Sequence, residues 1–142
     1  MSDDTEQNED GVETALVSAF SGFGGEALRD VWLFDESEFK SLYLRDDVGE
    51  KLASVDVPKF IDNERYGFVT RDTYDQLYYA SYRYTVRGFD DFEQFRTFVG
   101  SEDSHLGVFA SFDQRPGGYE FAALDERVQD IVSGHDVATL SP

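Results

Sequence analysis

The chain has 142 residues, with 30 Asp and Glu against 12 Lys and Arg, two His, no Cys and a formal net charge of -18. That length suits one domain, and an apolar content of 40%, with 15% aromatic residues, is enough for a packed core despite the charge. Without cysteine there is no disulfide, thiolate zinc site or cysteine nucleophile, and no apolar run approaches the ~20 residues of a membrane span.

Residues 1–10 contain five acids and no base, so they read as a disordered acidic tail with none of the basic and apolar character of a secretion signal. Helical spacing begins at residue 11. Val12, Ala15, Leu16, Ala19, Phe20 and Phe23 make one apolar stripe, with Asp10 and Glu13 in capping-box positions and Gly22, Gly24 and Gly25 as the stop. This glycine cluster follows a helix and lacks the Lys-Ser/Thr ending of a phosphate loop, so it reads as a helix terminus. Asp30–Phe34 and Phe39–Arg45 are β-rich runs joined by the polar Asp35-Glu36-Ser37-Glu38, a hairpin signal. Trp32 and Phe34 alternate with Val31 and Leu33, so both faces of the first strand are apolar and call for cover or a partner on each side.

Asp46 and Asp47 open a helical stretch with Val48, Leu52 and Val55 inward. Pro58 starts a second short helix containing Phe60, Ile61 and Glu64, and Gly67 reads as a break. Tyr78–Arg87 alternates as a half-buried strand, with Tyr78, Ala80, Tyr82, Tyr84 and Val86 on one face and Tyr79, Ser81, Arg83, Thr85 and Arg87 on the other. Phe92–Val99 fits a strand or an Asp91-capped helix, and the strand is the preferred reading. Leu106, Val108, Ala110 and Phe112 alternate as a further strand, and Pro116-Gly117-Gly118 is a turn. Leu124, Val128, Ile131 and Val132 line a final helix stopped at Gly134, after which 135–142 reads as a flexible tail.

The expected fold is therefore α+β, a single domain over 11–134 with about five antiparallel strands covered by helices in the order α-β-β-α-β-β-β-α. This order is similar to that of profilin-like and roadblock domains. The segment Leu42-Tyr43-Leu44-Arg45-Asp46-Asp47-Val48, with its Tyr-x-Arg-Asp-Asp-Val core, resembles small acidic haloarchaeal proteins of uncharacterised function. So do the runs Tyr84–Asp91 and Gly107–Asp113, which extend the resemblance over residues 27–113. Pro116-Gly117-Gly118 departs from that pattern, and the resemblance transfers no catalytic residue.

The kind of charge agrees with this resemblance. Eighteen Asp and nine Arg accompany only Lys40, Lys51 and Lys59. In molar salt the Debye length falls to about 3 Å, so carboxylates keep a surface hydrated without repelling one another. The composition thus points to the cytoplasm of a salt-accumulating cell. Carboxylates mimicking DNA phosphates are the less economical reading, and nucleic acid and membrane are not expected partners.

Asp46-Asp47 and Asp90-Asp91 can hold a hard cation but read more simply as helix-start and turn residues. His105 and His135 have no metal-ligand spacing, and neither a nucleophile elbow nor a nucleotide loop is present, so no catalytic residue, metal or cofactor is assigned. Between Arg65 and Phe89 four Arg face only Asp72 and Asp75. Tyr79, Arg83 and Arg87 are the candidate interaction residues, with internal Arg–carboxylate pairing as the alternative. The expected function is a non-enzymatic regulatory or protein-interaction module, a homodimer that also binds another protein. The alternatives are a small-molecule sensor with a pocket lined by Trp32, Tyr43, Tyr82 and Phe95, or an enzyme of unassigned class.

Overall fold

The computed structural model describes residues 4–77, 79–101, 104–135 and 140–142, with side chains from Gly11 onward. Its elements are α1 (Asp4–Gly24), β1 (Leu28–Phe34), β2 (Phe39–Leu44), α2 (Asp46–Leu52), α3 (Val57–Asp75), β3 (Tyr84–Gly88), β4 (Phe92–Val99), β5 (Leu106–Asp113) and α4 (Phe121–Ser133). The strands form one antiparallel sheet in the order β2-β1-β5-β4-β3. The expected α+β architecture and its element order are those observed, with Phe92–Val99 as a strand.

Both sheet faces are covered, which accounts for the doubly apolar β1. On one side α1 and α4 pack Leu16, Phe20, Leu124 and Val128 against Val31, Leu33, Phe95, Val108 and Phe112. On the other, α3 sets Ile61 and Phe68 against Trp32, Phe34, Phe98 and Phe109. The central strands β4 and β5 are buried over nearly their whole length, as two-sided cover requires.

Several expected boundaries move. Helix α1 starts at Asp4, so residues 4–10 lie within its span and Asp10 is not its cap. At its other end Gly25 takes a φ of +58°, the left-handed conformation that the glycine cluster makes accessible. Within the C-terminal segment expected to be flexible, Leu140 is buried against the core.

Gly67 does not break α3, which runs unbroken for 19 residues. The glycine is needed for close approach instead, because a Cβ there would stand 2.5 Å from Cζ of Arg96. The strand expected at Tyr78–Arg87 begins only at Tyr84; Tyr78 itself lies outside the described residues. Alternation therefore does not run through Tyr82. Its hydroxyl accepts from Arg96 Nη2 at 3.0 Å and its ring stacks on Tyr74 of α3, whereas Tyr84 lies on the opposite side against Phe95.

Candidate functional site

A row of polar side chains crosses the sheet on the α3 side. Cross-strand pairing sets Asp30 opposite Ser111, Ser111 opposite Gln94 and Gln94 opposite Arg87, so one residue from each of β1, β5, β4 and β3 stands in line. The outer end of this row is closed by α3. Glu64 is wholly buried, and its carboxylate accepts from Arg87 Nη1 at 2.7 Å and Arg96 Nη1 at 3.2 Å. Arg96 also donates to Tyr82 and Thr85. One carboxylate shared by two guanidinium groups and their hydroxyl partners joins α3 to β3 and β4.

The three candidate interaction residues are not one stripe. Arg87 points under α3 to Glu64, while Arg83 precedes the strand and its Nη2 lies 3.3 Å from Asp125 of α4, on the other sheet face. Tyr79 is 83% exposed in the connection before β3. The sequence pattern does not anticipate the outer face of α3. There Tyr66 and Val69 are 70% and 65% exposed, and Tyr74 and Leu77, exposed as well, lie further along. Tyr66 and Val69 share the outward side of α3, whereas the five-residue step to Tyr74 turns about 140° around the helix and brings that ring toward Tyr82, and Leu77 follows the helix end. Among the described residues β3 pairs with β4 alone, so its far side is a sheet edge.

Of the four residues expected around a pocket, Trp32 and Tyr82 lie on the α3 side, whereas Phe95 and Tyr43 pack against the core on the α1–α4 side. Sheet alternation separates them. Trp32 alone of the four lines a cavity of about 210 Å³ between the sheet and the α2–α3 junction.

The Asp pairs have local roles. Asp46 and Asp47 occupy the first turn of α2, where the helix dipole favours anions, and Asp47 Oδ1 accepts from Arg45 Nε at 2.6 Å. Asp90 and Asp91 lie in the β3–β4 hairpin. His105 stacks on Phe68 and pairs with Glu36, and His135 contacts the carbonyl of Ile131. Among the described residues, no three His, Asp or Glu side chains are grouped as metal ligands. No helix among them is long and apolar enough to cross a membrane.

Arg45 is the structural centre of its motif. It donates to both oxygens of Asp113 at 2.7 and 3.0 Å, to Asp47, and to the carbonyl of Glu26. These bonds from Arg45 are the main cause that holds the Asp113 and Asp47 carboxyls below their ordinary range, and they raise the guanidinium's own value. The contact joins two of the segments noted in the sequence, Leu42–Val48 and Gly107–Asp113.

A family profile described as a domain of unknown function, DUF7522, matches residues 14–133. The chain belongs to this family. The matched span of DUF7522 runs from within α1 to the last residue of α4, and so takes in the whole sheet. No curated protein matches it in sequence. Among solved structures, this DUF7522 chain is similar to the gliding protein MglB from Thermus thermophilus, with 13% identity, a TM-score of 0.51, and coverage of 89% of this chain and 92% of that one. It also aligns with a structure of MglB with tetrameric arrangement, at 13% identity and a TM-score of 0.49, over 94% of each chain. The first likeness places the DUF7522 fold with the roadblock-like architecture expected from the element order.

Proposed function

We infer that this domain is a non-enzymatic regulatory module that works by protein association, and that it pairs with a second copy of itself through the outer face of α3 and the free edge of β3. The observation that carries this reading is the exposed set of Tyr66, Val69 and Tyr74 on α3 with Leu77 and Tyr79 in the connection that leads to that edge. A two-fold axis would set the same patch and the same edge strand against themselves, which is how closed homodimers form. Charge favours a copy of the chain as occupant. Residues 65–89 carry only two acids, Asp72 and Asp75, in a protein of net charge -18, so two copies of this patch meet with less carboxylate repulsion than elsewhere on the chain, even though Arg71 is buried and Arg83 and Arg87 are engaged with Asp125 and Glu64. Arg83, half-exposed and tethered to Asp125, stands ready at the border, while Arg87 is committed to Glu64. A salt-rich cytoplasm is the setting that the composition favours.

Light scattering in about 2 M KCl at about 100 μM protein tests this, since association depends on concentration and long-range charge is then screened. The wild type is expected to be a dimer, and Tyr66→Glu with Val69→Glu a folded monomer. A monomeric wild type, or a double variant that dimerises unchanged, overturns the reading.

A further inference from the structure

The inner half of the polar row lies under the α2–α3 junction, where the helices stand off the sheet. It forms the floor of the 210 Å³ cavity, whose apolar walls include Trp32 from β1, Leu52 from α2, Ile61 from α3 and Phe92 from β4. Burying polar groups in such a setting is costly unless each finds a partner. Ser111 is fully used, because its hydroxyl accepts from Arg29 Nε at 3.1 Å and donates to Asp30 Oδ1 at 2.7 Å. Arg29 is occupied as well, lying over the Phe92 ring and beside Asp113. Two buried groups keep open capacity toward the cavity. Asp30 is 6% exposed, and Ser111 is its one hydrogen-bond donor among the described residues. Gln94 is 5% exposed, and its carbonyl oxygen receives one long contact from Arg87 while its amide nitrogen has no partner among the described residues.

We propose that this cavity binds a small planar ring carrying an amide-type edge, an N–H for Asp30 beside a carbonyl for Gln94, with the ring held between Trp32, Leu52, Ile61 and Phe92. The two side chains flank Ser111 from the strands on either side, an acceptor on one and a donor on the other, so a ligand that offers both an N–H and a C=O complements the pair. Size limits the ligand to one ring and a few atoms. A cavity of about 150 Å³ takes benzene, and drug-sized molecules need about 300 Å³ or more. Arg29 and Lys51 also line the cavity, but Arg29 is engaged with Ser111 and Asp113, and a carboxylic acid at the Asp30 end of the floor would set an anion against the Asp30 carboxylate. A polar floor in line across three strands under apolar walls distinguishes this site from a plain packing defect, which would be lined by apolar groups alone. The site is separate from the outer face of α3, so its occupancy and self-association can be tested independently.

Trp32 is the single tryptophan of the chain and lines the cavity, so its indole N–H resonance reports occupancy. The probes are benzamide, which has the proposed edge, benzoate, which is an anionic acceptor, and toluene, which is apolar. Benzamide is expected to shift the Trp32 resonance saturably with a Kd of about 1 mM or tighter, and the other two to bind at least about tenfold more weakly. Asp30→Asn keeps the side-chain size and a Ser111 acceptor but presents an NH2 to the cavity. In that variant benzamide is expected to lose about tenfold in affinity while toluene is unchanged. Toluene or benzoate binding as well as benzamide overturns the amide-edge assignment, and no saturable shift with any of the three overturns the site. The comparison of probes on the wild type decides the proposal even if the variant does not fold.

Discussion

Glu64 shows how far a single residue can be misjudged from sequence. On the chain it is one acid among 30, at a helical position next to Ile61. In the fold it is wholly buried and shared by Arg87 and Arg96. Nothing in the local pattern marks it, because its partners lie 23 and 32 residues away on two strands. Removing it leaves two guanidinium groups facing each other in a poorly solvated site. Glu64→Ala is therefore expected to lower unfolding stability by about 3–5 kcal/mol, read from urea denaturation in molar salt. For the same reason Arg87→Glu is a poor probe of the surface, since it would set a second carboxylate against Glu64. Arg45 and its partner Asp113 are partly legible, as each sits in a segment that stands out, yet nothing in the sequence pairs the two. That carboxyl is held below its ordinary value, so its contribution is fully present above the unfolded carboxylate value of 3.8 and is lost as pH falls through the lower folded value. Asp113→Asn should melt below the wild type at neutral pH, with the gap closing under strong acid; a gap that stays constant with pH would remove the ion pair from the account.

At the scale of elements, most of the order was readable because it rests on periodicity. The α1 stripe, the doubly apolar β1, the alternating β5 and the α4 face each appear where the pattern puts them. The errors have tertiary causes. Tyr78–Arg87 alternates along its length, but β4 supplies partners only from Glu93 to Thr97 for the five residues Tyr84–Gly88. Gly67 looked like a terminator by propensity, whereas its role is spatial. Substituting alanine offers a direct measure of which effect dominates. Propensity alone would favour Gly67→Ala by about 1 kcal/mol. Against this, the new methyl meets Arg96 Cζ at 2.5 Å and Phe98 Cζ at 2.7 Å. Arg96 cannot swing away, being held by Glu64, Tyr82 and Thr85. Overpacking of this kind costs about 1–3 kcal/mol, so a net loss of up to about 2 kcal/mol is expected in chemical denaturation. A stabilised variant would mean that the Arg96 side chain is far more mobile than its bonds imply.

For the whole molecule, the decisive contrast is between carboxylates inside and outside. The buried acids Asp30, Glu64 and Asp125 are each paired, with Ser111, with Arg87 and Arg96, and with Thr97 and Arg83. Among the residues whose side chains are described most of the other acids lie exposed, and over the chain acids outnumber the cations by a net 18. Salt acts differently on the two sets. At about 0.1 M the Debye length is about 10 Å, long enough for exposed acids on neighbouring elements to repel; at about 3 M it is under about 3 Å and that repulsion is gone. The buried pairs, shielded from ions, change much less. Removing repulsion from the folded state must raise its stability, because the same charges lie further apart in the unfolded chain. A thermal melt between about 0.1 and 3 M KCl should therefore rise by about 10 °C, equivalent to about 2–3 kcal/mol for a chain of this length. Sodium chloride at the same ionic strength should give a similar rise, since screening depends on ion concentration and valence. A flat or falling midpoint would mean that surface repulsion is not what limits this fold, and the acidic composition would then need another cause.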